Sequence, residues 1–102
     1  MAALPVILSR EAAEQLDAQL RYLRSKGANQ AANEFGRRVM QFLTRHLAEF
    51  PRSGRHLADR DLWETWIPRT RLILWYRIEP DHVAVATVWH SAQDLALRAR
   101  PA

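Results

Sequence analysis

The chain has no cysteine and only one lysine, Lys26. Without cysteine there are no disulfides and no thiolate metal ligands, and a reducing cytoplasm is the expected compartment. No apolar run approaches the ~20 residues that a membrane-spanning helix needs. Residues 1–8 carry a short apolar run with no basic residue ahead of it and no small-residue cleavage site, which reads as a strand rather than a signal peptide. Internal repeats, low-complexity tracts and a second domain are all missing. Metal ligation has little to work with, because His46, His56, His82 and His90 fall on different elements with no pairwise ligand spacing. No metal and no cofactor is therefore assigned.

What is present is an ordinary globular composition with a basic balance. At 102 residues the chain has room for one domain and one modest core. The expected boundaries are residues 1–97 for that domain and 98–102 for a mobile tail. Fifteen Lys+Arg against eleven Asp+Glu leave a net charge of +4, and all but one of the cations are arginines. Arginine suits bidentate contacts to carboxylate or phosphate and stacking on aromatic rings. An acidic protein or a nucleic acid is a plausible partner, although solvated arginines also serve solubility alone.

Hydrophobic periodicity predicts an α+β fold in the order β-α-α-β-β-β. Leu4 to Leu8 is the first strand, placed at a sheet edge by Pro5. Ser9 offers an N-cap, with Glu11 and Glu14 in the first turns. Ala13, Leu16, Leu20 and Leu23 carry the first helix to about Lys26, where Gly27 stops it. A second helix runs from Asn29 to Phe50 on the stripe Ala32, Phe35, Val39, Phe42, Leu43, Leu47 and Phe50, and Pro51 ends it. The short connection makes the pair an antiparallel helical hairpin packed on a mainly antiparallel twisted sheet. His46 borders the stripe and reads as a partly buried packing residue.

Residues 51–61, PRSGRHLADRD, read as a polar loop. Leu62 to Ile67 form a strand stopped by Pro68, and Arg71 to Ile78 with Val83 to Trp89 form a final hairpin around Pro80-Asp81. Ser91 to Arg100 is either a short helix or a tail. Strand alternation sorts the hairpin into two faces. If Ile78 pairs with Val83, then Tyr76 meets Val85, Leu74 meets Thr87 and Leu72 meets Trp89 on the core face. Arg77 meets Ala84, Trp75 meets Ala86, Ile73 meets Val88 and Arg71 meets His90 on the other. A bulge would shift this register and flip the assignments beyond it. Without one, Trp75 stands exposed among small residues, bracketed by Arg71, Arg77 and His90, as a shallow groove for a partner.

Four stretches carry a family resemblance: LSREAAEQLD at 8–17, EFPRSGR at 49–55, RLILWYRIEPDHVAVATVWH at 71–90 and HSAQDL at 90–95. Together they resemble the RelE/ParE superfamily, the toxin half of bacterial type II toxin-antitoxin pairs, in the family's order and at its length. The tail His90-Ser91-Ala92-Gln93-Asp94-Leu95 is similar to the ParE ending. A ParE-like member is implied to poison DNA gyrase through protein–protein contact, with no catalytic residues of its own. A RelE-like member is implied to cut mRNA on the ribosome. Here no tyrosine follows Tyr76 and the sheet has no lysine, and both are departures from the RelE pattern.

The nuclease alternative has a definite chemistry. It needs a base, an acid and cationic stabilisation of a phosphorane. His90, Arg71, Arg77 and Glu64 are the candidates, and their convergence depends on strand pairing. The resemblance also implies a cognate antitoxin in a toxin-antitoxin hetero-oligomer. An acidic segment that folds on binding would lay carboxylates on the arginines. Trp75, Arg71, Arg77, His90 and Tyr22 are its candidate contacts. No helix-turn-helix or ribbon-helix-helix pattern points to sequence-specific DNA binding by this chain.

Overall fold

The computed structural model describes residues 3–91. In chain order the elements are β1 (Val6–Leu8), α1 (Arg10–Ser25), α2 (Asn29–Gln41), a π-helical segment (Phe42–Leu47), a 3-10 turn (Pro51–Ser53), β2 (Arg55–Leu57), β3 (Leu62–Trp66), β4 (Leu72–Ile78) and β5 (Val83–His90). The strands form one mixed sheet in the order β1-β5-β4-β3-β2. β1 runs parallel to β5, and the other three pairs are antiparallel. Two helices on one side of a mixed sheet give the expected α+β class. The expected helix or tail beyond Ser91, and the 98–102 boundary, lie outside the described residues. No described helix is long and apolar enough to cross a membrane.

Local chemistry sets the helix ends. The Ser9 hydroxyl accepts from the Ala12 N–H at 3.0 Å, capping α1 where the sequence placed the cap. At the other end Gly27 takes φ +74°, and the Gly27 and Ala28 N–H groups return to Arg24 and Leu23. That is a Schellman closure, which needs a left-handed residue at this point. The second helix does not stay α to Phe50. It widens into the π segment, where Phe42 and Leu43 are buried together with Leu47 and Ala48, five residues further on. Five is the spacing that a π turn brings onto one face. The same widening throws Phe50 off the expected stripe, and it is 57% exposed.

The main core lies between the helices and the sheet. It gathers Ala12, Leu16, Val39, Phe42 and Leu47 from the helical layer with Leu72, Leu74, Tyr76, Val83, Val85 and Val88 from the sheet. A second, smaller cluster of Leu62, Ile73, Trp75 and Trp89 lies on the opposite face, with Leu57 packed against it.

The polar stretch 51–61 departs most from expectation. It contributes a strand, β2, whose Arg55, His56 and Leu57 pair with Glu64, Trp63 and Leu62. It is also pinned to β4: the Tyr76 hydroxyl donates to the Pro51 carbonyl at 2.7 Å. Gly54 is required for space rather than for φ, since a Cβ there would lie 2.6 Å from the Glu64 carbonyl oxygen and against Tyr76 Oη.

Candidate functional site

The final hairpin begins in the expected register and then leaves it. Ile78 pairs with Val83, Arg77 with Ala84 and Tyr76 with Val85, but a bulge follows at Trp75/Tyr76. Beyond it Trp75 pairs with Thr87, Leu74 with Val88, Ile73 with Trp89 and Leu72 with His90. The expected pairs Leu74–Thr87, Leu72–Trp89, Trp75–Ala86, Ile73–Val88 and Arg71–His90 are therefore each displaced by one residue. Every β5 side chain past the bulge changes face. Val88 turns into the main core, Trp89 turns to the open face, and His90 lines a small depression with Gln15, Ala18 and Gln19 of α1.

The bulge is held from outside the hairpin. The Ser9 hydroxyl that caps α1 also donates to the Ala86 carbonyl at 2.8 Å. The Gln15 side-chain oxygen accepts from the Val88 N–H at 2.7 Å, and the Thr87 hydroxyl donates to Glu11 at 3.1 Å. β1 ends at Leu8, so among the described residues β5 has no strand neighbour on that side beyond Val85. The first turns of α1 supply the missing partners, which satisfies backbone groups that would otherwise be left bare.

Trp75 is not an exposed groove residue. Only 8% of it is accessible, because three groups close around it. Its indole N–H donates to Glu64 Oε2 at 2.8 Å, Trp89 meets it edge-on with ring centroids 4.3 Å apart, and the Arg60 guanidinium lies 4.8 Å from its ring centroid. Arg60 comes from the β2–β3 connection, where its N–H donates to the Leu57 carbonyl and folds the turn back. The cover thus comes from the stretch read as a free loop. The exposed indole of the region is Trp66, at 50%.

Glu64 is the one buried charged side chain among the described residues, at 4% exposure. Its Oε1 accepts from Arg55 Nη2 at 3.1 Å while Oε2 takes the Trp75 N–H. Arg55, Glu64 and Trp75 are direct cross-strand neighbours on β2, β3 and β4, so strand pairing itself aligns this ladder. A buried carboxylate persists when its oxygens are engaged in this way. Trp89 Nε1 is buried and meets no acceptor among the described residues.

The sequence-derived site residues consequently scatter. Arg71, just ahead of β4, and Arg77, within it, are exposed on the open sheet face, six residues apart in extended chain, a separation of about 20 Å. They cannot clamp one phosphate together. Glu64 has both oxygens committed, and His90 has moved to the α1 side. Tyr22 is 59% exposed on α1, in the helical layer across the sheet from Arg71 and Arg77, with Lys26 Nζ 5.6 Å from its ring centroid. His46 is exposed rather than partly buried. Its ring stacks on Phe42 at 5.0 Å and approaches Phe50 at 5.8 Å, and Nε2 lies 3.2 Å from the Ser53 hydroxyl. Burial pushes the Tyr76 phenol up to about 12, although a hydrogen bond from the Gly54 backbone pulls the other way. This tyrosine is a structural strut in the main core.

Sequence reasoning missed Arg55 and Arg60 because both fell in the stretch read as loop. The clue available was alternation in Arg55-His56-Leu57, too short a run to mark a strand.

Residues 6–95 match the family model for the ParE toxin of the type II toxin-antitoxin system, parDE. The chain belongs to the ParE toxin family. A solved structure described as a chromosomal ParDE TA system from P. aeruginosa shares the fold at a TM-score of 0.62. Sequence identity to it is 14%, and the likeness covers 86% of this chain and 96% of that one. A search of curated proteins finds no significant match. As a ParE toxin of a type II system, the chain is a toxin-antitoxin component, and it has the two-helix, five-strand architecture of that structural relative.

Proposed function

We propose that this ParE-family chain acts in the cytoplasm by inhibiting DNA gyrase through protein–protein contact, and that a cognate acidic antitoxin neutralises it by folding onto its surface. The observation that carries this reading is the open sheet face. Arg71 and Arg77 are exposed there and have no carboxylate partner among the described residues. Arg55 and Arg60 are held beside them by Glu64, Asp59 and the Trp75 ring. Fixed guanidinium groups around packed indoles suit a carboxylate-bearing protein surface, and the ordering cost is already met before binding.

The contact set now divides by side of the sheet. Arg71 and Arg77 face one way, and Tyr22 the other, with His90 beside α1. An antitoxin touching all of them wraps around the toxin rather than filling one groove, as a segment that folds on binding is able to do. Trp75 then supports the arginines from beneath. RNA cleavage by His90 with Arg71, Arg77 and Glu64 draws less support, because those four groups do not converge on one reacting centre.

The test is expression of the chain without antitoxin, scoring gyrase-linked DNA breaks and the SOS response against cleaved transcripts. DNA breaks with intact mRNA are expected. Cut transcripts with intact DNA would sink the proposal.

A further inference from the structure

The turn between β3 and β4 carries a side chain that its backbone does not favour. Ile67, Pro68, Arg69 and Thr70 form a tight turn, closed by the Thr70 N–H donating to the Ile67 carbonyl at 3.2 Å. Proline in second place and a positive φ in third is the type II pattern, whose third position prefers glycine or asparagine. Arg69 occupies that position at φ +63°. Among the described residues the other non-glycine positive φ belongs to Asp61, and aspartate enters that region readily. Arginine does not. The Thr70 hydroxyl donates to the Ile67 carbonyl at 2.7 Å and accepts from the Leu72 N–H at 3.1 Å, so the turn is braced without the arginine side chain. Arg69 is exposed and has no carboxylate partner among the described residues. A strained side chain that contributes nothing to its own turn points to a use outside the fold.

The same turn begins directly after Trp66. That residue pairs with Ile73, so its indole lies on the open face, where it is half exposed. Arg71 lies two residues from Ile73 on this face, and Arg55 pairs with Glu64, two residues from Trp66. From Leu62 to Ile78 the one carboxylate is Glu64, which is buried and already engaged. An exposed indole rimmed by guanidinium groups has the composition of an interface hot spot.

We propose that Trp66 and Arg69, with Arg71 beside them, form the contact by which the chain grips a carboxylate-bearing surface of its protein target; that the target is gyrase rests on the function proposed above. The indole enters an apolar depression, and the guanidinium groups meet acidic side chains around it. Arg69 and Arg71 alone would release few counterions from a phosphate backbone, which makes nucleic acid the weaker fit. A second copy of this chain, at +4, would set like charge against like. Trp66 and Arg69 lie outside the antitoxin contact set, so target and antitoxin can be separated at this turn.

The measurement is binding of the full chain to purified gyrase by calorimetry, beside urea unfolding of each variant. Trp66→Ala should weaken gyrase binding about thirtyfold and Arg69→Gly about tenfold. Both variants should bind the antitoxin that restores growth on co-expression as the wild-type chain does. Arg69→Gly should also unfold at a higher urea midpoint, because glycine adopts the positive φ without strain. A lower midpoint would make the arginine a structural residue and overturn the proposal. If both variants keep full gyrase affinity while the wild type inhibits the enzyme, the patch fails and the functional reading stands. Equal loss of antitoxin affinity, wild-type binding to a DNA duplex alone that the variants lose, or self-association that they abolish would each assign the patch to another occupant and overturn it. If the wild-type chain does not bind gyrase, both readings fall.

Discussion

The helix-covered face of the sheet is filled mainly with aliphatic side chains, joined by Tyr76 and the half-buried Trp63, while the open face is held by two indoles around a buried carboxylate. On the covered face Leu72, Leu74, Val83, Val85 and Val88 are each at most 1% exposed, and the helices exclude water from them. Dispersion and the hydrophobic effect suffice there. The open face has no helical cover among the described residues. It makes its own from flat rings, a guanidinium and a ladder of hydrogen bonds across three strands. One face is ordered by what packs upon it, and the other by what its own side chains do to each other. Only the second can keep cations in place and still present them to a partner.

That contrast can be attacked first at its largest element. Trp75→Ala should cost about 3–5 kcal/mol in urea unfolding, since it empties the open-face cluster and strips Glu64 of a donor. Trp66→Ala, half-exposed on the same face, should cost under about 1 kcal/mol. Equal costs would show that the open face has no core of its own. The size of the first effect also makes Trp75→Ala a poor probe of partner binding, because loss of binding would follow from loss of fold.

Next comes the seam where the two faces meet at the 51–54 turn. Gly54→Ala should destabilise by about 1–3 kcal/mol, because the added carbon has backbone rather than a flexible chain end in its way. A neutral result would mean that the turn slides freely over β3.

Tyr76→Phe should be milder, about 1 kcal/mol for the lost bond to Pro51. Its pH signature sharpens the comparison. The folded-state phenol titrates at about 12, above the ordinary tyrosine value near 10. Its contribution is complete below pH 10 and is lost as pH rises toward 12. The native chain should therefore weaken in that window, as read by denaturant midpoints, and Tyr76→Phe should remove that component.

The smallest change in stability belongs to the open-face rim. Arg77→Glu should alter unfolding by no more than about 0.5 kcal/mol. Antitoxin affinity and its dependence on salt should both fall, checked by titration at two ionic strengths. Unchanged affinity would remove Arg77 from the partner surface.

Much of this was legible in the chain. Ser9 as N-cap, Gly27 as helix stop, the apolar side of β4 and the hairpin turn from Glu79 to His82 follow from local rules and occur where those rules put them. What failed was non-local. The bulge in β5 is stabilised by Ser9 and Gln15, more than 70 positions away, and nothing in Val83 to His90 announces it. One extra residue was enough to exchange the faces of Trp89 and His90. The covering of Trp75 was hidden in the same way, because Arg60 reaches it from a turn with no hydrophobic pattern. A short strand such as β2 lacks the length for alternation to register, and its pairing with β3 becomes evident only in three dimensions.

The contacts of Ser9 and Gln15 with β5 also govern when the molecule can exist. β1, the cap of α1 and the edge of β5 complete one another only after residues 83–88 have been synthesised. Until then the helical hairpin lacks the β5 edge to which its first turns bond, and contacts of such long sequence separation form slowly. A surface that depends on the finished sheet is therefore completed only after the helical hairpin has been made and residues 83–88 have joined it.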